Sequence, residues 1–316
     1  MLRHILLVTG GEKMRSLMQQ EILPYLPYGI QNFIAGLPDL FLNQIQEIRL
    51  RGERPLAFEL GQGDEMSSYF VSREEMQAVL QLLSRSSVYA LEEELRNGYL
   101  TLRGGHRVGF VGRAVLEKGS VKVLKDISGF NIRISRECIG SADLIMPYII
   151  EEGQVKNTLL IAPPKAGKTT LLRDLIRQLS NGQGGINGRK IGLVDERSEI
   201  AAVYQGIPQR DIGLRTDVLD ACPKAYGMML LVRSMSPEVI VTDEIGREED
   251  IKALEEVLCA GVSIIASAHG ESFADLKKRP GLRCILEQQM FERFIFLNRG
   301  HGLEKILDSN GRTLCS

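Results

Sequence analysis

The fold of this chain is decided by residues 159–179, LLIAPPKAGKTTLLRDLIRQL. The apolar run 158–161 is typical of a buried parallel strand, and it stops at Pro163-Pro164. After a short loop, leucines and isoleucines recur on one helical face until Gly182. The stretch therefore predicts a strand, a loop and a helix in succession.

The loop nearly matches the phosphate-binding pattern of a glycine, four residues and Gly-Lys-Ser/Thr, because it closes with Gly167, Lys168 and Thr169. In such loops, backbone N–H groups and the positive end of the next helix converge on phosphates. The lysine reaches the terminal phosphate oxygens, and the threonine hydroxyl ligates Mg²⁺. The predicted nucleotide-binding residues are Ala162, Pro163, Pro164, Lys165, Ala166, Gly167, Lys168, Thr169 and Thr170.

The first residue of the loop is Ala162, where the pattern has glycine. If the backbone there needs a positive φ, alanine costs about 1 kcal/mol; if the residue ends an extended strand, alanine costs little. The sequence leaves both readings open, and the first of them predicts weaker nucleotide binding.

Composition indicates a globular protein with room for two domains of ordinary size. The 316 residues are 44% hydrophobic and 25% charged, and 39 basic residues face 40 acidic ones, for a net charge of −1. This balance argues against a non-specific nucleic-acid binder. Five scattered cysteines without a CxxC pair predict free thiols in a reducing compartment.

Apolar runs are too short for a secretory segment or a membrane-spanning helix. The run near the start covers only residues 5–8, and no window approaches the ~18 apolar residues that a span needs. We therefore expect a cytoplasmic protein that is peripheral to a membrane through a partner.

Residues 1–140 predict a smaller α+β domain. Alternation over 46–60 with a break at Gly52 indicates a β-hairpin. Ser72 and Glu75 have the spacing of a helix capping box. The remaining predictions are β-structure over 99–116 and 127–136, a helix over 89–95, and a domain boundary at 140 followed by a helix that Ser141 caps.

Residues 141–316 predict an α/β domain, a P-loop RecA-like NTPase core with a parallel sheet. Apolar runs of strand length follow the P-loop helix at 190–194, 239–242, 262–266 and 293–297. Strands that alternate with helices indicate a parallel sheet covered on both faces. Such sheets place their chemistry at the carboxyl ends of the strands.

Acidic residues follow two of these strands. Asp243 and Glu244 come after an apolar run, as in a Walker B motif, so Asp243 is predicted to hold Mg²⁺ and Glu244 to deprotonate the attacking water. Glu196 and Glu199 are further candidates to polarise that water. His269 ends the next strand, where a γ-phosphate sensor and an ordinary structural histidine fit equally well.

A GTPase-like DxxG match runs from Asp243 to Gly246, but no Asn/Thr-Lys-x-Asp guanine motif follows it. The adjacent Glu244 suits an ATPase better. ATP and Mg²⁺ are therefore the predicted ligands.

The phosphate loop, acidic box, Walker B pair and histidine occur in the order found in secretion and pilus ATPases, which this chain resembles. Longer stretches resemble the stage III sporulation protein AA family of endospore-forming bacteria, within the type II/IV secretion ATPase superfamily. The likeness covers most of residues 46–300. The stretches that carry it are VYALEEELRNGYLTLRGGHRVGFVGRAV (88–115), GFNIRISRE (129–137), GLVDERSEIAAVYQG (192–206) and LRTDVLDACPKAYGMMLLVRSMSPEVIVTDEIG (214–246).

This resemblance implies a homo-hexameric ATPase on the mother-cell side of the membrane around the forespore. It would dock on a platform-type membrane protein and power or gate a secretion-like channel. It also implies that arginines of the N-terminal domain reach the nucleotide. Arg133 and Arg136 are the candidates by position, with ordinary surface arginines as the alternative, and Arg215 and Arg233 are further candidates to act from a neighbouring subunit.

Two other functions stay open at this point. Related ATPase cores occur fused to single-strand-binding modules of the R3H type, so a nucleic-acid-binding ATPase is one, although the chain contains no Arg-x-x-x-His pattern. The other is an assembly scaffold that binds ATP with negligible turnover, which the alanine at position 162 keeps open.

Overall fold

The computed structural model of the chain describes residues 14–315 except 62, 85–95, 97, 118, 137, 165, 183–186 and 301. The chain divides into two compact units, Met1–Arg136 and Glu137–Ser316. The sequence prediction put this boundary at residue 140. Each unit has its own hydrophobic core.

Six antiparallel strands organise the N-terminal unit. They are β1 (Ile45–Arg51), β2 (Arg54–Leu60), β3 (Gly63–Val71), β4 (Tyr99–Thr101), β5 (Arg107–Glu117) and β6 (Ser120–Arg133). They form one sheet in the order β3-β2-β1-β6-β5-β4. The helical elements are a π-helical turn (Met18–Ile22), 3-10 turns (Leu23–Tyr25 and Arg103–Gly105), and helices α1 (Tyr28–Ala35), α2 (Asp39–Leu42) and α3 (Arg73–Leu83).

Alternation along the strands decides which face of this sheet is buried. Ile48 and Leu50 of β1 are fully buried, and they pair with Ile132 and Phe130 of β6, which are also fully buried. The predicted hairpin over 46–60 is confirmed as β1 and β2.

The predicted capping box is confirmed at the start of α3. The Glu75 N–H donates to Ser72 Oγ at 3.1 Å, and the Ser72 N–H donates to Glu75 Oε2 at 2.9 Å. Each bond satisfies a donor that the first helical turn would otherwise leave free. The helix predicted over 89–95 lies outside the described residues.

The C-terminal unit is built on an eight-stranded mixed sheet. Its strands are β9 (Thr158–Ala162), β10 (Ile191–Asp195), β13 (Thr216–Asp220), β14 (Val239–Thr242), β15 (Ser263–His269), β16 (Arg293–Leu297), β17 (Leu303–Asp308) and β18 (Thr313–Cys315). The order is β13-β10-β14-β15-β9-β16-β17-β18, parallel as far as β16 and antiparallel beyond it. Two small hairpins lie outside this sheet, formed by β7 (Ile150–Glu151) with β8 (Gln154–Val155) and by β11 (Val203–Tyr204) with β12 (Ile207–Pro208).

Helices cover both faces of this sheet, as predicted. They are α4 (Met146–Ile149), α5 (Lys168–Asn181), α6 (Lys224–Met235), α7 (Glu248–Cys259), α8 (Phe273–Lys277) and α9 (Pro280–Glu287). In β9, Leu160 and Ala162 belong to the apolar cluster that contains the α5 side chains. Leu159 and Ile161 belong to the cluster on the other face, with side chains of α6, α7 and α9. The α/β architecture is therefore confirmed.

The five strands predicted for this unit are present, but β13, β17 and β18 were not predicted. These three lie towards the edges of the sheet, where strands are only partly buried and lack a continuous apolar run.

The helix predicted directly after Ser141 is wrong. The structure has only the four residues of α4 there, and the Ser141 hydroxyl donates to the Cys138 carbonyl at 2.7 Å instead of capping a helix. Pro147 explains the late start, because proline has no N–H and fits a helix best in its first turn. Across the described residues, no helix is both long and apolar enough to cross a membrane.

Candidate nucleotide-binding site

Four neighbouring parallel strands end at one edge of the sheet. They are β10, β14, β15 and β9, and the residues at or just beyond their carboxyl ends are Asp195, Asp243, His269 and Ala162. Because the strands are parallel, these ends meet at the same edge. The four predicted motifs therefore converge there.

The P-loop joins β9 to α5 in the way its chemistry requires. Gly167 has a φ of 82°, a left-handed conformation that favours glycine, and it precedes the first residue of α5. Ala162 is instead an extended residue at the end of β9, paired in register with His269. Alanine is therefore tolerated at this position. Lys165 lies outside the described residues.

Lys168 is a buried cation without a hydrogen bond in the described part of the chain. Its side chain is 6% exposed, and its Nζ lies 3.2 Å from Asp243 Oδ1 and 3.5 Å from Glu244 Oε1. The ion pairs are within reach, yet no described atom accepts a hydrogen bond from Nζ. An ammonium with unused donors in a buried position is ready to bind an anion.

Two cavities open beside the P-loop helix. The first has a volume of about 370 Å³ and is lined by Pro163, Ala166, Gly167, Lys168, Thr169, Thr170, Glu199, Glu244 and His269. The second, of about 320 Å³, has a mostly apolar lining that includes Leu144, Ile145, Leu171, Leu297 and Leu303. Ala166, Gly167 and Thr170 line both, so a charged cavity and an apolar one share a wall.

Asp243 is fixed by short contacts from its neighbours. The Ser267 hydroxyl donates to Asp243 Oδ1, and the Glu244 N–H donates to the same oxygen at 2.9 Å. The Glu244 N–H also donates to Ser267 Oγ at 3.0 Å. Ser267 comes from β15, so the strand that carries His269 also orients the Walker B carboxylate.

Glu244 is held by basic side chains from three different elements. Its Oε1 lies 2.8 Å from His269 Nε2, and its Oε2 lies 3.0 Å from Arg197 Nη1. Burial by itself raises the pKa of the Glu244 carboxyl, but the charges of Lys168, His269 and Arg197 outweigh burial and hold that pKa below its usual range. The carboxylate is therefore ionised at neutral pH.

His269 links the P-loop strand to Glu244. Its Nδ1 lies 3.4 Å from the Ala162 carbonyl oxygen, while Nε2 faces Glu244. The histidine thus lies between the two motifs, on the wall of the P-loop cavity.

The acidic box after β10 is shaped by Asp195. Its Oδ1 accepts from the Glu199 N–H at 2.9 Å, and its Oδ2 accepts from the Ile200 and Ala201 N–H groups at 3.0 and 2.9 Å. Burial raises the pKa of the Asp195 carboxyl to about 6, although these backbone bonds oppose the rise. Asp195 is therefore the residue that folds the loop.

The two glutamates of this loop have different surroundings. Glu196 forms an ion pair with Lys224, whose side chain is only 8% exposed. Glu199 lines the P-loop cavity, and its carbonyl accepts from Arg173 Nη2 at 2.8 Å. Of the two, Glu199 lies on the wall of the cavity that Lys168 also lines.

The contacts that the structure gives for the predicted arginines lie within their own units. In the N-terminal unit, Arg133 Nε lies 3.0 Å from Glu47 Oε2, and Arg136 Nη2 donates to the Ile45 carbonyl at 2.7 Å. In the C-terminal unit, Arg215 Nη1 donates to the Ser180 carbonyl at 3.1 Å, and Arg233 is exposed near the end of α6. Their catalytic role stays a prediction.

Sequence reasoning missed three cations of the site: Arg173, Arg197 and Lys224. Arg197 lies inside the acidic box, where an arginine between carboxylates was an available signal. The other two lie on helices, α5 and α6, and only the fold brings them to the loop after β10.

Solved structures share this fold. The ATPase DotB of Legionella pneumophila superposes with a TM-score of 0.55 and 17% identity, covering 82% of this chain and 74% of that one. The pilus retraction motor PilT, solved with bound ADP, gives 0.53 and 14%, covering 80% and 74%. The chain therefore has the RecA-like P-loop fold of secretion and pilus ATPases.

Sequence comparison identifies the family within that class. The family described as "Sporulation stage III, protein AA" matches residues 17–313. "Stage III sporulation protein AA" of Bacillus subtilis (strain 168) is 48% identical over 297 residues, which is 93% of this chain and 96% of the relative. The chain belongs to the sporulation stage III protein AA family, as its sequence motifs predicted. "Protein SEEDLING PLASTID DEVELOPMENT 1" of Arabidopsis thaliana is 30% identical over 162 residues, 51% of this chain and 22% of that protein.

Proposed function

We propose that this chain is a Mg²⁺-dependent ATPase of the secretion-motor type that acts in sporulation. The observation that carries the proposal is Lys168, a buried ammonium without a hydrogen bond among the described residues, beside Asp243 and Glu244. A structural lysine would have its donors satisfied. A phosphate-binding lysine keeps them for the ligand.

The residues around the P-loop cavity divide the work of hydrolysis. Lys168, the backbone of the P-loop and the N-terminus of α5 bind the phosphates. Water attacks the γ-phosphorus, the bond from that phosphorus to the β,γ-bridging oxygen breaks, and ADP leaves with the bridging oxygen. Glu244 takes the proton of the water, and His269 and Glu199 on the same wall help to orient it.

Thr169 and Asp243 fit a magnesium ion, since a hydroxyl and a carboxylate are hard oxygen donors of the kind it prefers. Magnesium would neutralise the negative charge that develops on the phosphate oxygens. The apolar cavity next to the P-loop suits the nucleobase.

The finer proposal concerns assembly. The protein is a homo-hexamer that powers or gates a channel between mother cell and forespore. A pilus retraction motor among the similar proteins supports the motor role, and the name of the family supports the setting in sporulation. We propose that it acts from the mother-cell cytoplasm on a platform-type membrane protein, and that nucleic acid is not a partner. Arg133 and Arg136 are proposed to act on the nucleotide.

The decisive experiment measures phosphate release and oligomer size together, for the wild type and Glu244→Gln, with and without Mg²⁺. We expect the wild type to turn over only with Mg²⁺. The variant should lose at least about a hundredfold in turnover, since it lacks the base, and should retain ATP in a ring.

Two outcomes would contradict the motor. If wild type and Glu244→Gln both bind ATP and assemble alike without phosphate release, the chain is a nucleotide-dependent scaffold. If the wild type binds single-stranded nucleic acid at physiological salt, with the salt dependence of phosphate contacts, the nucleic-acid alternative replaces it.

A further inference from the structure

Glu244 has an unusual backbone that its surroundings must hold in place. Its φ is 50°, in the left-handed region that non-glycine residues rarely adopt. Such a conformation persists only where neighbouring contacts determine it. The backbone N–H is held by Asp243 and Ser267, and the carboxylate is held by His269 on one oxygen and Arg197 on the other.

Arg197 reaches Glu244 from the loop that follows β10, with Nη1 3.0 Å from Glu244 Oε2. It lines a small cavity of about 10 Å³ with Asp195, Glu196, Glu199, Lys224, Asp243 and Glu244. Glu244 also lines the P-loop cavity, but Arg197 does not. Arg197 therefore contacts Glu244 Oε2 without lining the P-loop cavity, while His269 and Lys168 lie at Oε1. A space of about 10 Å³ has room for about one water at most.

The loop that carries Arg197 is itself anchored to the nucleotide-binding helix. Arg173 of α5 donates from Nε to the Ile200 carbonyl at 2.6 Å and from Nη2 to the Glu199 carbonyl at 2.8 Å. From the other end, Asp195 binds three backbone N–H groups of the same loop. A chain of contacts thus runs from α5 through the loop and Arg197 to Glu244.

We infer that Arg197 is a positioning residue for hydrolysis. It fixes Glu244 Oε2, so that Oε1 stays beside Lys168 and His269 and faces the P-loop cavity. The inference rests on the proposed ATPase function and adds a residue to it. His269 and Arg197 hold one oxygen each, so two elements set the plane of the carboxylate. His269 of β15 lies beside the Ala162 carbonyl at the end of β9, and Arg173 of α5 holds the loop that carries Arg197.

The charge of the Glu244 carboxylate favours a partner on each of its two oxygens. When Lys168 binds a phosphate, Glu244 keeps only His269 and Arg197 among the described basic side chains within 4.0 Å of its carboxylate. An arginine is suited to this role because its planar guanidinium holds a carboxylate in a defined direction. Without it, the carboxylate keeps only the contact of His269 at Oε1, which leaves its plane less well defined, and misplacement of a base by about 1 Å costs up to ~100-fold in rate.

The test compares Arg197→Ala and Arg197→Lys with the wild type, measuring kcat, KM and the affinity for ATP. We expect Arg197→Ala to lower kcat about tenfold, with KM and ATP affinity within about twofold, because the residue acts on the base and not on the nucleotide. Arg197→Lys should recover part of the loss, since one ammonium replaces a planar fork. Arg283→Ala is the matched control, because Arg283 is 57% exposed, as against 61% for Arg197, and pairs with an exposed glutamate in the same unit.

A double variant shows whether Arg197 acts through Glu244. In the Glu244→Gln background, Arg197→Ala should change the residual turnover by less than about twofold, because the ion pair is already lost. An additional tenfold loss there, a rise in KM, or an unchanged or higher kcat in the single variant would overturn the inference. Failure of the proposed function is separate: the wild type itself would then release no phosphate.

Discussion

The two units of this protein differ in the hydrogen bonds that they provide to a buried charge. In the N-terminal sheet, Glu47 is 5% exposed, and both its oxygens accept hydrogen bonds, from Asn131 Nδ2 at 2.7 Å and from Arg133 Nε at 3.0 Å. In the C-terminal unit, Lys168 is equally buried, yet its donors are unused by described residues. Both charges are beside opposite charges, so proximity alone does not distinguish them.

The difference lies in hydrogen bonding. A buried charge that is fully hydrogen-bonded contributes to the structure, because removing it leaves its partners without a bond. A buried charge with free donors has a cost that folding alone does not repay, which indicates a ligand. Glu47 is the first kind and Lys168 is the second, and four substitutions test the contrast.

Lys168→Ala should have the largest effect. We expect hydrolysis to fall by about a thousandfold or more, because the ammonium that would hold the phosphate charge is gone. Phosphate release and ATP binding measure the loss. Lys252→Ala is the control, since Lys252 is 70% exposed and forms an i,i+4 ion pair on α7. Turnover like the wild type in Lys168→Ala would remove the distinction between the two buried charges.

Asp195 is a third case. Its buried carboxylate is hydrogen-bonded, yet burial still disfavours its ionised form. Its pKa rises from 3.8 to about 6 on folding, so the folded state binds the proton more tightly. The stability from this group is therefore present below pH 4 and is lost as pH rises through 6, by about 3 kcal/mol in order of magnitude. Asp220, which faces it in register and whose pKa burial also raises, has the same sign.

Melting temperature against pH checks this expectation. Asp195→Asn cannot titrate, so its stability should fall less than that of the wild type between pH 4 and 6.5. Asp217→Asn, an exposed change on the edge strand β13, is the control and should follow the wild-type curve. If the stability of the wild type, Asp195→Asn and Asp217→Asn rises by the same amount over this interval, the assignment is contradicted.

Glu47→Gln should destabilise the N-terminal unit by about 2 kcal/mol, because the amide cannot accept on both sides and either the Asn131 Nδ2 or the Arg133 Nε donor loses its acceptor. Amide hydrogen exchange in β1 and β6 reports the loss locally. Glu65→Gln on β3 is the comparison, since Glu65 is exposed. Equal exchange rates in both variants would mean that the Glu47 cluster contributes no more than a surface charge.

Ala162→Gly should have the smallest effect. Since Ala162 is an extended, fully buried strand residue, glycine gains no conformational freedom that the loop needs and loses a buried methyl group. We expect ATP affinity within about twofold of the wild type and a stability loss of about 1 kcal/mol. A tenfold gain in affinity would mean that the P-loop needs glycine there after all.

The sequence predicted the elements whose pattern is local and continuous. The P-loop, the Walker B pair and five parallel strands each have a short signature, and His269 follows its strand directly. The edge strand β13 escaped because TDVLD alternates polar and apolar residues and is only partly buried. The helix predicted after Ser141 begins only at Met146, because Pro147 fits a helix best in its first turn.

Contacts between distant segments explain what was missed at the site. Arg173 lies in a helix whose pattern reads as ordinary amphipathicity, and nothing near it in sequence indicates that it reaches Glu199 and Ile200. Lys224 meets Glu196 for the same reason, across 28 positions of the chain. The Ala162 question was also undecidable from sequence, because its answer depends on where β9 ends.

The small β11–β12 hairpin directly follows the acidic box along the chain. The Gln209 and Arg210 N–H groups both donate to the Ala201 carbonyl, at 3.1 and 3.3 Å, so the hairpin closes at its base beside the residues that Arg173 holds. Ile207, which directly follows the turn of this hairpin, is 64% exposed. The Ala201 carbonyl therefore joins an exposed apolar side chain to the loop that lines the P-loop cavity, where Glu199 is only two residues away along the chain.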